Sequence, residues 1–234
     1  LDDARQVGER PFAFHGDGVA GMTPTDAMLG PRDVVTVRGR DAESYLHSQL
    51  TQTVAGMQVG ESRWTFALEP TGRIVALARI TRRADDVIEL DTDRGFGAAL
   101  AAQLERFKIR VDAEIEVSER DHEADEVARI GAGWPKMGAE IVTGETIPGG
   151  TGLTAVAVDF TKGCYPGQEL VERMDSRAAA APRSLRRLGV APDTSPGSPI
   201  VDDGVEVGVV TSVAGERAIG WVKRSSELGE PIAF

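Results

Sequence analysis

From residue 34 onward, short runs of alternating apolar and polar residues each predict one element. The run 34-VVTVRG-39 has the composition of a strand. Asp41 follows as a candidate helix cap, and Tyr45, Leu46, Gln49 and Leu50 repeat with helical spacing in AESYLHSQL. The run 63-RWTFAL-68 alternates Trp64, Phe66 and Leu68 on one face, which assigns Trp64 to the core. In 69-EPTG-72 Pro is second and Gly fourth, as in a type I turn, and 74-IVALARI-80 is the return strand. RADD, 83–86, makes another turn and VIELDT, 87–92, a third strand. GAALAAQLERF, 97–107, reads as an amphipathic helix, and 109-IRVDAEIEV-117 alternates again.

Strand, helix, three strands, helix and strand form an α+β order, with hairpins and antiparallel sheets rather than a doubly wound parallel sheet. Residues 1–32, rich in Gly, Asp and Pro, read as an irregular arm holding at most one short strand. Between 127 and 180 the pattern is less regular, apart from a helix over ELVERM, 169–174. After 182 the character changes. VEVGVVTSV and AIGWVKR, separated by AGER, predict a small β-domain or part of a barrel. The reading is a body over 1–183 and a β-barrel-like domain over 184–234.

Composition narrows the function. A formal net charge of -11 opposes broad binding to nucleic-acid phosphates. The acidic stretch 119-ERDHEADE-126 reads as a solvated loop. No apolar run approaches the ~20 residues of a membrane span. LDDARQVGERPFAF, 1–14, has no signal-peptide core, although the chain does not begin with Met and a trimmed leader stays open; the single cysteine suits a reducing cytoplasm, which is the expected location. One cysteine excludes an internal disulfide, and with three scattered histidines no metal site is expected. His47 is expected to face solvent from its helix.

That cysteine lies in 161-TKGCYPGQELVERM-174. Pro166 fixes one φ and Gly167 admits a positive one, so Tyr165-Pro166-Gly167 reads as a tight turn into the helix. Cys164 then lies near a helix N-terminus with Lys162 two residues away, a setting that favours a thiolate. Gly163 gives a visiting molecule access to the backbone. The alternative is a small buried residue in a helix-entry turn.

KGCYPGQE closely resembles the K-G-C-Y-x-G-Q-E motif of the YgfZ family, folate-binding proteins related to the glycine cleavage T-protein. Lys162, Gly163, Cys164, Tyr165, Gly167, Gln168 and Glu169 match its seven fixed positions, and Arg173 matches a following arginine. YLHSQLTQ (45–52), LEPTGRIVALARITR (68–82), RFKIRVDAEI (106–115), RIGAGWPKMGAEI (129–141), TIPGGTGLTA (146–155) and GVVTSVAGERAIGWVKR (208–224) are similar to further family segments. Ser48, Thr53 and Ala178 depart from it, standing where Gly, Asp and Gly are common.

The resemblance implies a folate-binding α+β body with a C-terminal β-barrel, here expected to be truncated. It implies a tetrahydrofolate-binding accessory protein that supports iron–sulfur cluster enzymes, some of them tRNA-modifying. Its partners would be folate and iron–sulfur client enzymes. Cys164 would be the functional thiol. Tyr165 or Trp134 would stack on the pterin, and Arg129, Lys162 or Arg173 would pair with the acidic tail. The alternatives are a folate-dependent one-carbon transferase or demethylase, or a scaffold without folate. Aminomethyl transfer is disfavoured, because neither 74-IVALARI-80 nor Arg129–Gly133 carries the carboxylates that the T-protein uses.

Overall fold

A computed structural model describes residues 24–176 and 181–234. The arm expected over 1–32 lies outside these residues up to 23, as does Ala178. Its described end contains a short helix, α1 (Asp26–Leu29). The body continues through β1 (Arg32–Arg38), α2 (Ala42–Gln49), β2 (Ser62–Leu68), β3 (Ile74–Ala84), β4 (Val87–Asp93), α3 (Gly97–Phe107) and β5 (Glu114–Arg120). Its sheet is antiparallel, in the order β2-β3-β4-β1-β5. The less regular region holds α4 (Glu126–Ala132), a 3-10 turn at Pro148–Gly150, α5 (Thr154–Ala157) and α6 (Gln168–Ser176). A second sheet follows from β6 (Arg183–Gly189), β7 (Pro199–Asp202), β8 (Val205–Ala214), β9 (Arg217–Lys223) and β10 (Glu230–Pro231). Its order is β10-β6-β9-β8-β7, also antiparallel, and among the described residues β10 does not pair with β7 to close a barrel.

Alternation along the strands divides the first sheet into two unlike faces. Ala76, Ala78 and Ile80 of β3 meet Leu46 of α2 and Leu100 and Leu104 of α3 in one core. Trp64, Phe66, Leu68 and Leu77 face the other way, into a second core with Trp134, Met137, Tyr165 and Val171. Further along this second face, Arg32 is buried between Asp91 and Asp93, with Nε 3.0 Å and Nη1 2.6 Å from their carboxylates. Burial pushes the Asp93 carboxyl above its ordinary value, against the pull of Arg32.

Two helix starts differ from local expectation. Asp41 does precede α2, but its side chain makes no cap bond; Oδ2 accepts the N–H of Asp112 instead, at 2.9 Å. The start of α3 is satisfied from a distant strand, because Asp33 Oδ2 accepts the N–H groups of Gly95 and Gly97, each at 2.9 Å. Gly97 is required there, since a Cβ would come within 2.5 Å of the Asp33 Cβ.

The strand expected over 109–117 begins later, at Glu114. Arg110 turns the chain with φ 57, and Asp112 passes against Gly39, where a Cβ would meet the Asp112 carbonyl at 2.3 Å. The alternation of Val111 and Ala113 reflects core packing of a loop that is not yet a strand.

The second sheet is fastened to the body by a buried polar cluster. Glu140 Oε2 accepts from Arg129 Nη1 and from the Lys136 N–H, each at 3.0 Å. Its Oε1 accepts the hydroxyls of Thr211 (2.7 Å) and Ser212 (2.5 Å) from β8. Trp221 Nε1 of β9 donates to the Glu140 carbonyl at 2.9 Å.

Candidate functional site

The cysteine loop is stitched to the segment after α2 at three points. Thr51 donates from Oγ1 to the Ala157 carbonyl at 2.6 Å, and its own carbonyl accepts the Asp159 N–H at 3.0 Å. Thr53 donates to the Asp159 carboxylate. Lys162 reaches back to the end of α2, where its ammonium donates to the carbonyls of His47 and Leu50. The last carbonyls of a helix lack partners within it and carry partial negative charge, so the half-buried ammonium is suited to them.

Asp159 organises the loop from within. Hydrogen bonds from the Thr161 side chain and backbone and from Thr53 hold its carboxyl at about 2. Thr53 thus stands opposite a carboxylate supplied from another part of the chain. The Asp159-Phe160-Thr161 spacing, an acid bonding the backbone two residues on, is the sequence signal that marks this position.

Burial lowers Lys162 to about 8, with Asp159 pulling the other way, and its Nζ lies 5.0 Å from the Tyr165 ring centroid. A folded-state value below the unfolded one means that the charged ammonium costs stability below about pH 8. That cost is relieved as pH rises toward the ordinary lysine value of 10.5. Stability of the wild type should therefore gain on a Lys162→Met variant between these pH values, as measured by urea midpoints at each pH.

Tyr165 is buried and Cys164 exposed. The turn between Tyr165 and Gln168 is closed by a backbone hydrogen bond of 3.3 Å, and α6 starts at Gln168, four residues beyond the cysteine. Cys164 is therefore placed on an exposed loop ahead of the helix. With its thiol accessible, it is expected to be alkylated by a maleimide in the native protein, at a stoichiometry unchanged by denaturant; labelling only after unfolding would contradict the exposed placement. A Cβ added at Gly163 would meet nothing within 4 Å, so its backbone faces open space. Gly167 is the opposite. Its φ is 81, and a Cβ would lie 2.6 Å from the Glu69 carbonyl and 2.8 Å from the Gly72 Cα. The loop therefore rests directly on the β2–β3 turn, whose Gly72 N–H donates to the Glu69 carbonyl at 2.8 Å.

The other expected residues fall into three places. Gln168, Glu169 and Arg173 lie on α6, where Arg173 and Glu169 form an exposed ion pair and Gln168 Nε2 bonds Glu172. Trp134 joins Tyr165 in the second core, with its ring 4.6 Å from Trp64 and 5.0 Å from Phe234. Trp64 is buried there as expected, yet its Nε1 has no hydrogen-bond partner. Arg129 is buried and committed to Glu126, Glu140, the Trp134 carbonyl and Ser212. His47 does not face solvent. It is half-buried, and Nδ1 accepts the N–H groups of Val54 and Ala55, so its role is to hold the turn after α2.

Sequence reasoning missed Asp159 and Glu140. Among the described residues no group of three or more His, Cys, Asp or Glu is placed to hold a metal ion, and no helix is long and apolar enough to cross a membrane.

No protein-family model matches the chain. An uncharacterised protein of Haemophilus influenzae is 27% identical over 188 residues, covering 62% of this chain and 67% of that protein. The structure is similar to that of glycine cleavage system aminomethyltransferase T from Bartonella henselae, with a TM-score of 0.70 over 85% of this chain and 80% of that one, at 16% identity. The chain thus has the fold of that aminomethyltransferase, built on antiparallel sheets and helices.

Proposed function

We propose that this protein is a tetrahydrofolate-binding accessory protein of the YgfZ type, which supports iron–sulfur enzymes including some that modify tRNA. The observation that carries the reading is the cysteine loop. It is anchored by Lys162 on one side and Gly167 on the other, and it leaves Cys164 exposed between them. A loop held this firmly while presenting a thiol suits contact with a second molecule. The motif KGCYPGQE and the aminomethyltransferase-like fold support the same reading. In it, the chain to residue 183 forms the binding body and residues 184–234 a second domain.

The residues fit a reduced folate in one physical respect. Trp64 and Trp134 pack together in the second core, and Trp64 Nε1 is a buried donor without an acceptor, a costly state that a heteroaromatic ligand with a ring nitrogen or carbonyl would relieve. When bound, the folate supplies a carrier for one-carbon groups. Tyr165 and Trp134 would face its ring, and Arg173, whose side chain is 49% exposed, is better disposed toward an acidic tail than the fully committed Arg129. Gln168 and Glu169 would line the approach, and Cys164 would meet the client.

The fold also favours a second reading, a one-carbon transferase. Its obstacle is the want of a free carboxylate. Asp91 and Asp93 lie on β4 beside β3, but Asp91 is held by Arg32 and Arg79, and Asp93 by Arg32 and the Met137 N–H. A base already occupied on both oxygens is poorly placed to take a proton from a substrate amine.

Calorimetric titration with tetrahydrofolate tests the first reading, with saturable heat expected. Trp64→Phe keeps the aromatic body and removes the N–H, and should weaken binding by about fivefold, the worth of one hydrogen bond near 1 kcal/mol. Absence of heat and of thermal stabilisation at millimolar ligand would reject folate binding. Turnover of an aminomethyl donor would move the assignment to the transferase.

A further inference from the structure

Away from the cysteine loop, Arg79, Arg83, Arg120 and His122 wall an open cleft of about 580 Å3, with Asp26, Ser62 and Thr81. It lies on the second face of the first sheet, beyond the aromatic core. Four cationic or protonatable groups meet one lining acid here, in a chain whose formal net charge is -11.

The pairing within the cleft is uneven. Arg79 has a carboxylate to itself on each of two nitrogens, with Nε 2.9 Å from Asp91 and Nη1 2.7 Å from Asp26. Arg83 and Arg120 instead converge on one atom, Oε2 of Glu89, at 2.7 and 2.9 Å. One carboxylate oxygen answers two guanidiniums, which leaves N–H groups on both. His122 adds a buried Nε2 with no hydrogen-bond partner. Ser62 and Thr81 place two hydroxyls, 2.8 Å apart, on the adjoining wall. Unsatisfied donors around an open space call for an acceptor with several oxygens, and guanidinium forks match planar or tetrahedral oxyanions.

We infer that this cleft binds a small oxyanion, a phosphate or carboxylate group, held by Arg83, Arg120 and the Nε2–H of His122, with the Ser62 and Thr81 hydroxyls beside it. The chemistry is that of an isolated subsite. A nucleic-acid track would need positive charge extended along the surface, which an acidic chain opposes.

The test is titration of the whole chain with inorganic phosphate and, separately, with succinate, in chloride at matched ionic strength, followed by NMR of the histidine rings. The His122 resonances are expected to shift along a saturating curve while those of His47 stay fixed. Arg120→Gln should weaken the apparent affinity about tenfold or more, the loss of one charge-assisted contact. Arg224→Gln, an exposed arginine elsewhere, should leave it unchanged. Saturation by phosphate alone assigns a phosphate group, and saturation by succinate as well assigns the wider carboxylate class. Non-saturating drift of all histidines, or equal weakening in both variants, means diffuse screening and overturns the proposal. Should Arg120→Gln fail to fold, the wild-type titration decides by itself. This site does not involve the aromatic core, so its failure leaves the folate reading standing, and the reverse.

Discussion

Glu140→Ala is expected to lower folding stability by roughly 3–5 kcal/mol, the cost of leaving a buried charge without its partner. Glu140 is wholly buried, and its carboxylate accepts four hydrogen bonds. Two come from the 129–136 segment and two from β8, so one side chain joins the body to the second sheet. Truncation to Ala leaves Arg129, also buried, with only the partly exposed Glu126 as an acidic partner. The Thr211 hydroxyl keeps the Ile219 carbonyl, and the Ser212 oxygen keeps its bond from Arg129. The damage should therefore centre on the guanidinium. Removing both charges, as Arg129→Met with Glu140→Leu, should recover much of the loss, because no ion then remains unpaired in the interior. Urea unfolding of both variants beside the wild type decides the matter. A single-variant cost below about 1 kcal/mol would mean that water reaches the cluster.

Gly167→Ala should cost roughly 2–4 kcal/mol, from a side chain forced into the left-handed region and from overpacking against backbone. The new Cβ would sit 2.6 Å from the Glu69 carbonyl, 2.8 Å from the Gly72 Cα and 3.0 Å from the Gly72 N. None of these is a flexible side-chain end that can swing aside. Gly72 has the complementary constraint: its φ is 83, and a Cβ there would come within 2.6 Å of the Leu170 Cβ. Two glycines distant in sequence are thus one contact. Gly163→Ala is the contrasting variant. With open space around it and no positive φ, it should change stability by less than about 0.5 kcal/mol, as for an ordinary surface site. If Gly163→Ala nonetheless impairs folate or client binding, that glycine serves a visitor, whereas Gly167 serves the fold. Equal unfolding midpoints for Gly167→Ala and wild type would remove the claim that the loop is wedged against the β2–β3 turn.

The aromatic core and the ion-pair network share one sheet face, and this explains a limit of the motif reading. Arg129 and Trp134 lie five residues apart, and the Arg129 Nη1 donates to the Trp134 carbonyl at 2.7 Å. Yet one is consumed in fastening two sheets and the other in lining the aromatic cluster. Spacing alone brings them together without distinguishing their work.

Strand composition, alternation and turn residues are local properties, so β1, β2, β3 and β4 were legible, as was α3 from its helical repeat. The turn at Gly72 and the positive φ at Gly167 were legible too, because each follows from what Pro and Gly permit in their own backbones. The late start of β5 was not, since alternation in 109–113 arises from a loop whose side chains reach the same core. The support of α3 by Asp33, of the α2 end by Lys162 and of Thr53 by Asp159 was hidden, because each partner lies more than sixty residues away.

By itself the sequence determined β1 to β4, the helices α2, α3 and α6 and the turns at Gly72 and Gly167, all set by sterics and hydrophobic periodicity within a few residues. The tertiary structure decided which charges are consumed as struts, Arg129 and Lys162, and which groups remain exposed or unpaired, Cys164, the Trp64 N–H and the His122 ring nitrogen. The physical reason is that whether a polar group is satisfied depends on distant partners brought near by folding, and no local pattern records them.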